Sequence, residues 1–440
     1  MGVMLQTFYW DCPRLESHEH QWWVQVKDRV PALRKAGFTA LWLPPVNKAA
    51  SWKSMGYDPY DYYDLGEFDQ KGGVPTWFGT KAELDDLILT AHTNDLQVYA
   101  DMVFNHNSGA DAEEKNPLDG KKYWTRFKPK SKRFARNGAF FHPSRYEQWD
   151  KGTFGGMPDL CHRNPSVYTE LLSYAQWLLE TVGFDGFRYD MVKGYGGWMV
   201  RSMQELRALH GDQTFKPYGV GECWDKTRTI EDWLDEANAW SDNTVGAFDF
   251  PLRDRLRDLC NHYGFSLREL AKPDVLLWTC PRDAVTFVEN HDVARNDPVV
   301  NDKMLAYAFI LTHEGYPCVF WQDYFNWNLA QEGNRSGIAA LVQVHERHAG
   351  GATQVLYVDD DLYVMQRGGY DAQRGLILVL NNRGTWHGAS VKTKWANTRL
   401  APQAWRGRND AGVPDSKRTN DTGWGDFWAP PRGYAVYVPD

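Results

Sequence analysis

Short apolar runs recur along the chain near residues 3–9, 39–43, 97–103, 184–189, 218–222, 245–249, 284–289 and 316–320, and each reads as a strand. Between most of them the apolar residues fall three and four apart, as in Trp22 to Lys35, Lys81 to Thr93, Ser166 to Thr181, Gly197 to Leu209 and Lys303 to Thr312. Such spacing lines one face of a helix. Ser336 to His348 supplies a further helical stripe after the eighth strand. Eight strands alternating with helices predict an α/β fold, a (β/α)8 TIM barrel.

Two stretches break the alternation. From Asn107 to Pro158 the chain is polar, rich in Gly, Lys, Pro and aromatic residues, and without a helical stripe, which predicts an inserted domain after strand 3. After Gly350 the pattern changes to short alternating runs, Leu362 to Gln366, Leu376 to Asn381 and Tyr434 to Val438, divided by Gly, Asn and Asp. These predict a C-terminal antiparallel β-sandwich domain. The expected organisation is therefore a barrel over 1–106 and 159–349, an insertion over 107–158 and a β domain over 350–440. The segment Arg406 to Thr422 is polar enough to be read as a mobile loop.

Composition removes several function classes. The formal charge of -8 leaves no basic footprint, and the Lys/Arg-rich stretch from Lys121 to Arg136 is short enough to read as a solvated loop face, so nucleic acid is not an expected partner. Six cysteines are scattered without CxxC spacing and indicate neither a disulfide scaffold nor a zinc finger. No apolar run nears the roughly 18 residues of a membrane span. The chain opens on the strand-like VMLQTFYW with no leader, which leaves the compartment open. A monomer is expected.

The chemistry sits where four apolar runs end in polar residues: DMVFNH at 101–106, GFRYDMVKG at 186–194, VGECWD at 220–225 and FVENHD at 287–292. In a β/α barrel the C-terminal strand ends carry the active site. Asp190, Glu222 and Asp292 are three isolated carboxylates at such ends. Retaining glycoside hydrolysis needs a nucleophilic carboxylate and a protonated carboxylic acid about 5–5.5 Å apart. Asp190 suits the nucleophile, since Arg188 lies two residues earlier on the same face of the strand and favours the ionised form. Glu222 suits the acid, its apolar surroundings at Val220, Cys223 and Trp224 tending to raise its pKa. Asp292 would hydrogen-bond sugar hydroxyls and steady positive charge at the anomeric carbon, with His106 and His291 as neutral donors. Singly, each acid reads equally well as a surface carboxylate; four such clusters on one eight-strand pattern do not.

Taken in order, these segments resemble the signature regions of the α-amylase family, glycoside hydrolase family 13, and the likeness spans nearly the whole chain. GTFGGMPDLCH at 152–162 resembles the stretch near the end of that family's inserted domain, and GYDPYDYYDLGEF at 56–68 its loop after the second strand. Other stretches resemble archaeal thermostable and bacterial liquefying members. The resemblance implies Asp190 as nucleophile, Glu222 as general acid/base and Asp292 as transition-state stabiliser. It places Tyr57 against the sugar at the cleavage point and Lys193 on the leaving-group side, with Arg188, His106, His291 and Asp101 supporting them.

The implied reaction is endo-hydrolysis of α-1,4 bonds in starch, glycogen and malto-oligosaccharides. The rivals are a malto-oligosaccharide-forming exo-amylase, a transglycosylase and a non-catalytic glucan-binding protein on the same fold. Digestion of external starch favours secretion after removal of a signal peptide, with a cytoplasmic location as the alternative that the lack of a leader leaves open.

The resemblance also implies Ca2+, bound by side-chain oxygens of Asn105, Asp150 and Asp159 and the carbonyls of Gly152 and Gly194, a donor set of the kind calcium prefers. His142, Glu147 and Cys161 fall where archaeal relatives carry Zn2+, with Glu147 in place of a His; an ordinary buried cysteine and a surface histidine fit these positions as well. In the last domain Trp386, Trp395, Trp405, Trp424 and Trp428 could be sugar platforms, with core packing as the default.

Overall fold

The structure, a computed structural model, describes residues 2–13, 19–146, 152–210, 213–241, 244–370, 372–409 and 412–440. Eight strands form a closed barrel: β1 (Met4–Gln6), β2 (Ala40–Leu43), β3 (Gln97–Met102), β4 (Gly186–Tyr189), β5 (Tyr218–Gly221), β6 (Gly246–Phe248), β7 (Ala284–Phe287) and β8 (Tyr316–Phe320). They follow one another round the barrel in sequence order, and the pairings β2 with β3, β3 with β4, β4 with β5, β5 with β6, β7 with β8 and β8 with β1 are all parallel. Strands buried on both faces leave no polar side to mark them, which is why they show in the sequence as near-continuous apolar runs.

The helices match the apolar spacing with informative exceptions. Among them are α1 (Trp22–Ala36), α2 (Lys81–Thr93), α3 (Pro165–Trp177), α4 (Gly197–Gln204), α5 (Thr227–Asn238), α6 (Phe250–Asn261), α7 (Met304–Ile310) and α8 (Ile338–His348). Helix α2 starts on a capping box: Thr80 Oγ1 accepts from Glu83 N–H and the Glu83 carboxylate accepts from Thr80 N–H. The stripe expected to run from Gly197 to Leu209 ends at Gln204, and Ala208–His210 pairs instead with Gln213–Phe215. The cross-strand pairing of these two runs takes the place of the helical continuation that the spacing predicts.

The chain divides into two compact units, one of residues 1–9, 33–39 and 249–440, the other of 10–32 and 40–248. The second contains the insertion, whose ordered element is a small antiparallel pair, Ala112–Lys115 with Lys122–Arg126, and no α-helix occurs among its described residues. The Lys/Arg-rich stretch there is not uniformly solvated. Arg136 is buried, its guanidinium carbon 4.5 Å from the Phe127 ring centroid and its Nη1 donating to the Phe134 carbonyl. Aromatic faces and carbonyls take the place of water around this cation.

In the first unit the C-terminal residues form a six-stranded antiparallel sheet in the order β9 (Thr353–Val358), β10 (Leu362–Arg367), β11 (Leu376–Asn381), β16 (Gly433–Pro439), β13 (Arg399–Arg406) and β14 (Lys417–Arg418). The strands between them, β12 (His387–Lys392) and β15 (Trp424–Ala429), pair as a separate two-stranded sheet. Leu362, Val364, Ile377 and Val379 pack with Val391, Phe427 and Ala429 in the core of this domain. Part of the stretch read as a mobile loop is paired, Lys417 with Leu400 and Arg418 with Arg399. No disulfide joins any of the six cysteines, all of them among the described residues. Among the described residues no helix is long and apolar enough to cross a membrane.

Candidate active site

Arg188, on β4, is the hub of the site in the second unit. Its side chain is fully buried, and Nη1 donates to Asp101 Oδ1 at 2.8 Å and to Asp190 Oδ1 at 2.7 Å. Nη2 lies 2.9 Å from Glu222 Oε2, an ion pair by distance without the alignment of a hydrogen bond. Residues 188 and 190 project to one side of the strand, and register does the rest: Asp101 pairs with Arg188 across β3 and β4, and Glu222 N–H donates to the Tyr189 carbonyl at 2.9 Å just past β5. Three neighbouring strand ends thus deliver three carboxylates to one guanidinium.

Each acid has further donors. Asp101 Oδ2 accepts from Tyr57 Oη at 2.7 Å and from Trp42 Nε1 at 3.1 Å. Burial raises the Asp101 pKa to about 6 against the opposing pull of Arg188 and Tyr57. Glu222 Oε2 accepts from Met191 N–H at 2.9 Å. Met191 holds the left-handed conformation at φ 44, turning the chain sharply after Asp190. The Arg188 pKa is raised: burial works against its charge, and Asp101, Glu222 and Asp190 outweigh it. With all three acids ionised, two negative charges remain uncompensated in a buried setting, which favours keeping a proton within the cluster.

Tyr57 stacks on Trp10 with centroids 5.9 Å apart and an interplanar angle of 16°. His106 is held neutral by burial, and its Nε2–H donates to the Tyr57 carbonyl at 2.9 Å while Nδ1 faces Asn105 Nδ2 at 3.3 Å. Its N–H was expected to face a sugar hydroxyl; in this structure it anchors the Tyr57 loop. Lys193, half-exposed, donates to the Trp224 carbonyl at 2.7 Å and to Asp225 Oδ2 at 3.1 Å.

His291 and Asp292 belong to the first unit and follow β7. His291 Nε2 is 3.3 Å from Asp292 Oδ2, and its Nδ1 is 2.9 Å from Gln6 Nε2 on β1. Asn290 Oδ1 accepts from the backbone N–H groups of Asp292 and Val293, each at 2.9 Å, fixing the turn that presents the carboxylate.

The predicted calcium ligands partly converge. Asn105 is buried, its Nδ2 donates to the Gly152 carbonyl, and its Oδ1 has no hydrogen-bond donor. A Cβ placed on Gly152 would lie 2.7 Å from the Gly194 carbonyl oxygen and 2.9 Å from Asp159 Oδ1, and nearer still to Asn105 Oδ1. Three oxygens from separate segments around one point, beside a glycine that leaves the space clear, suit a hard cation. Asp150 and Glu147 lie outside the described residues. His142 and Cys161 flank the bridge between Phe141 and Leu160, with His142 N–H donating to the Asp159 carbonyl at 2.8 Å and Cys161 N–H to the Phe140 carbonyl at 2.9 Å. Among the described residues no three His, Cys, Asp or Glu side chains gather as a metal site.

Residues 23–327 match the family described as alpha amylase, catalytic domain, and residues 376–438 match the alpha-amylase C-terminal family. The chain belongs to the alpha-amylase family. It is similar to the alpha-amylase of Geobacillus stearothermophilus, 31% identical over 100% of this chain and 87% of that protein. A glucan 1,4-alpha-maltohexaosidase of Bacillus sp. (strain 707) is 30% identical over 97% of this chain and 90% of its own. The crystal structure of an alpha-amylase from Geobacillus thermoleovorans, complexed with acarbose, superposes with a TM-score of 0.71 over 100% of this chain and 98% of that one; at 19% identity it speaks to the fold. The protein is thus an amylase-type glycoside hydrolase of a family that acts on starch and malto-oligosaccharides.

Four contributors escaped the sequence reading: Gln6 beside His291, Trp42 on Asp101, Trp10 under Tyr57 and the Met191 N–H on Glu222. Gln6 had a visible signal, a polar residue inside the apolar run MLQTF. Trp42 had none, because an inward indole on a barrel strand reads as core.

Proposed function

We propose that this protein is an endo-acting α-amylase that cleaves internal α-1,4 bonds of starch and glycogen with retention, through a glycosyl-Asp190 intermediate. The observation that carries the reading is the single guanidinium of Arg188 holding both Asp190 and Glu222, which keeps the two carboxyl groups close together, as retaining enzymes require. Asp190 attacks the anomeric carbon while Glu222 protonates the leaving oxygen. Glu222 then takes a proton from water, whose oxygen displaces Asp190. Tyr57, set on Trp10, offers its ring to the sugar at the cleavage point. Asp292, with His291 behind it, supports the developing positive charge, and Lys193 meets the departing chain.

The domain division proposed from the sequence is kept: barrel over 1–106 and 159–349, insertion over 107–158 and β domain over 350–440. Calcium would be held by Asn105, Gly152, Asp159 and Gly194 together with Asp150, and would fasten the end of the insertion to the turn after Asp190. Zinc at His142 and Cys161 is the weaker proposal, with two described donors, and no catalytic step runs through it.

A second reading, exo-hydrolysis releasing fixed malto-oligosaccharides, draws support from the similarity to a maltohexaosidase. The time course of products from soluble starch separates the two: a spread of lengths with early viscosity loss for endo attack, one dominant oligosaccharide for exo attack. Glu222→Gln should lower turnover about 10²–10⁴-fold and Asp190→Asn at least as much, with folding intact. Near-normal turnover in either variant would sink the assignment.

A further inference from the structure

Gln6 is fully buried on β1, in the middle of the apolar run MLQTF, and by strand alternation it points the same way as Phe8 two residues on. Both meet the ring of His291. Phe8 packs on it with centroids 4.9 Å apart at 48°, and the Gln6 amide nitrogen lies 2.9 Å from Nδ1. In the barrel β8 stands between β1 and β7, so this contact reaches past a whole strand to the turn that carries Asp292.

The two ring nitrogens of a neutral imidazole have opposite roles, one donating and one accepting, and the partner of either decides both. Nε2 faces Asp292 Oδ2 at 3.3 Å, and an ionised carboxylate only accepts, so this nitrogen has to carry the proton. Nδ1 is then an acceptor and needs a donor, which the Gln6 NH2 supplies. In the other tautomer a lone pair would meet the carboxylate of Asp292, and two N–H groups would meet at Gln6. The carbonyl end of the glutamine does nothing comparable: Oε1 is buried and has no hydrogen-bond donor. A buried amide left half unpaired lowers stability, so packing alone does not account for a glutamine at this position.

We infer that Gln6 is a positioning residue for the reaction: by holding Nδ1 of His291 unprotonated, it keeps Nε2–H turned to Asp292. The inference rests on the proposed role of Asp292 in supporting positive charge at the anomeric carbon. The Asn290 carboxamide fixes the backbone of the turn, whereas the N–H of His291 steadies the carboxylate itself. Without Gln6 the ring is free to take the other tautomer, in which Nε2 no longer donates and its lone pair repels Asp292. That loss falls on the charged transition state more than on the bound sugar, so it lowers kcat and leaves KM near its natural value.

The test has two readouts. A long-range proton–nitrogen NMR spectrum of the intact protein, with isotope-labelled histidine, reports which ring nitrogen of His291 is protonated; its signals are identified by their loss in His291→Phe. Nε2 protonated and Nδ1 bare is the expected result at neutral pH. A proton on Nδ1, alone or together with one on Nε2, overturns the inference. The second readout is a double-mutant cycle on maltopentaose hydrolysis with Gln6→Met, which keeps the length and bulk of the side chain and removes its NH2. Gln6→Met should lower kcat about tenfold with KM within about twofold, and should cost less than about twofold where His291 is already Phe. An unchanged kcat overturns the inference. So does a tenfold loss that persists in the His291→Phe background, which would be a packing effect independent of the imidazole. Should Gln6→Met fail to fold, the spectrum of the intact protein decides. Failure of the catalytic reading shows separately, as a folded protein that leaves maltopentaose whole while the tautomer of His291 is still read.

Discussion

Replacing Arg188 by Lys keeps the positive charge at the centre of the site and removes its fork. The guanidinium reaches Asp101 at 2.8 Å and Asp190 at 2.7 Å through Nη1, and Glu222 at 2.9 Å through Nη2. A single ammonium on a shorter arm cannot span all three, so at least one acid loses its partner. A hydrogen bond to a charged group, as Asp101 and Asp190 have, is worth about 1.5–3 kcal/mol, and about 1.4 kcal/mol corresponds to one pKa unit, so losing one, or the close ion pair with Glu222, raises the abandoned carboxyl by about one to two units.

If that carboxyl is Asp190, the acid limb of kcat/KM, which needs an ionised nucleophile, moves to higher pH. If it is Glu222, the alkaline limb, which needs a protonated acid, moves to higher pH as well. In either case the bell shifts upward by about one to two units; if the carboxyl is Asp101, which holds Tyr57, the bell stays and kcat/KM falls. The assay is kcat/KM on a malto-oligosaccharide across pH 4–9, each point taken well below the variant's melting temperature. An unmoved bell at undiminished kcat/KM, or a bell displaced to lower pH, would refute the hub role of Arg188.

Three further outcomes are expected. Removing calcium with a chelator should lower the melting temperature of the intact protein, by the equivalent of about 2.7 kcal/mol if calcium had stood at a hundred times its Kd; Gly152→Ala, whose methyl fills the oxygen cradle, should melt alike with and without calcium. Lys48→Met should destabilise the fold by about 3–5 kcal/mol in denaturant titration. Its ammonium and the Asp64 carboxylate are both fully buried 3.5 Å apart, and the ammonium also donates to the carbonyls of Gly73, Val74 and Pro75. Burial raises the Asp249 pKa to about 6 against backbone donors including Leu277 and Leu252, so its contribution to stability is full below about pH 3.8 and is lost as pH rises through 6. The stability advantage of the natural protein over Asp249→Asn should therefore shrink by about 3 kcal/mol in all from well below pH 3.8 to well above pH 6, and a pH-independent difference would contradict it.

What could be read from the sequence, and what could not, follows from where each signal is stored. The barrel was legible because a strand buried on both faces needs a run of apolar residues, and β2 and β8 supply one without interruption. The acids were legible because a carboxylate directly after such a run has no place in the core. Partnership is stored differently. Arg188 could be tied to Asp190 from their two-residue spacing, but its grip on Glu222 depends on the register of β4 against β5, Val220 opposite Arg188, which no local pattern encodes.

The same holds for Trp42 and Trp10. Both are aromatic residues in apolar surroundings, and only the closing of the barrel strand or the fold of the loop decides that one donates to Asp101 and the other lies under Tyr57. His106 is the sharpest instance. Its position in DMVFNH argued for a donor to sugar, yet the backbone carbonyl of Tyr57, 49 residues earlier in sequence, takes its N–H. A histidine in a signature segment can thus serve the substrate through the loop it fastens. On that argument His106→Asn should raise KM more than it lowers kcat, whereas a direct donor to the transition state would lower kcat first.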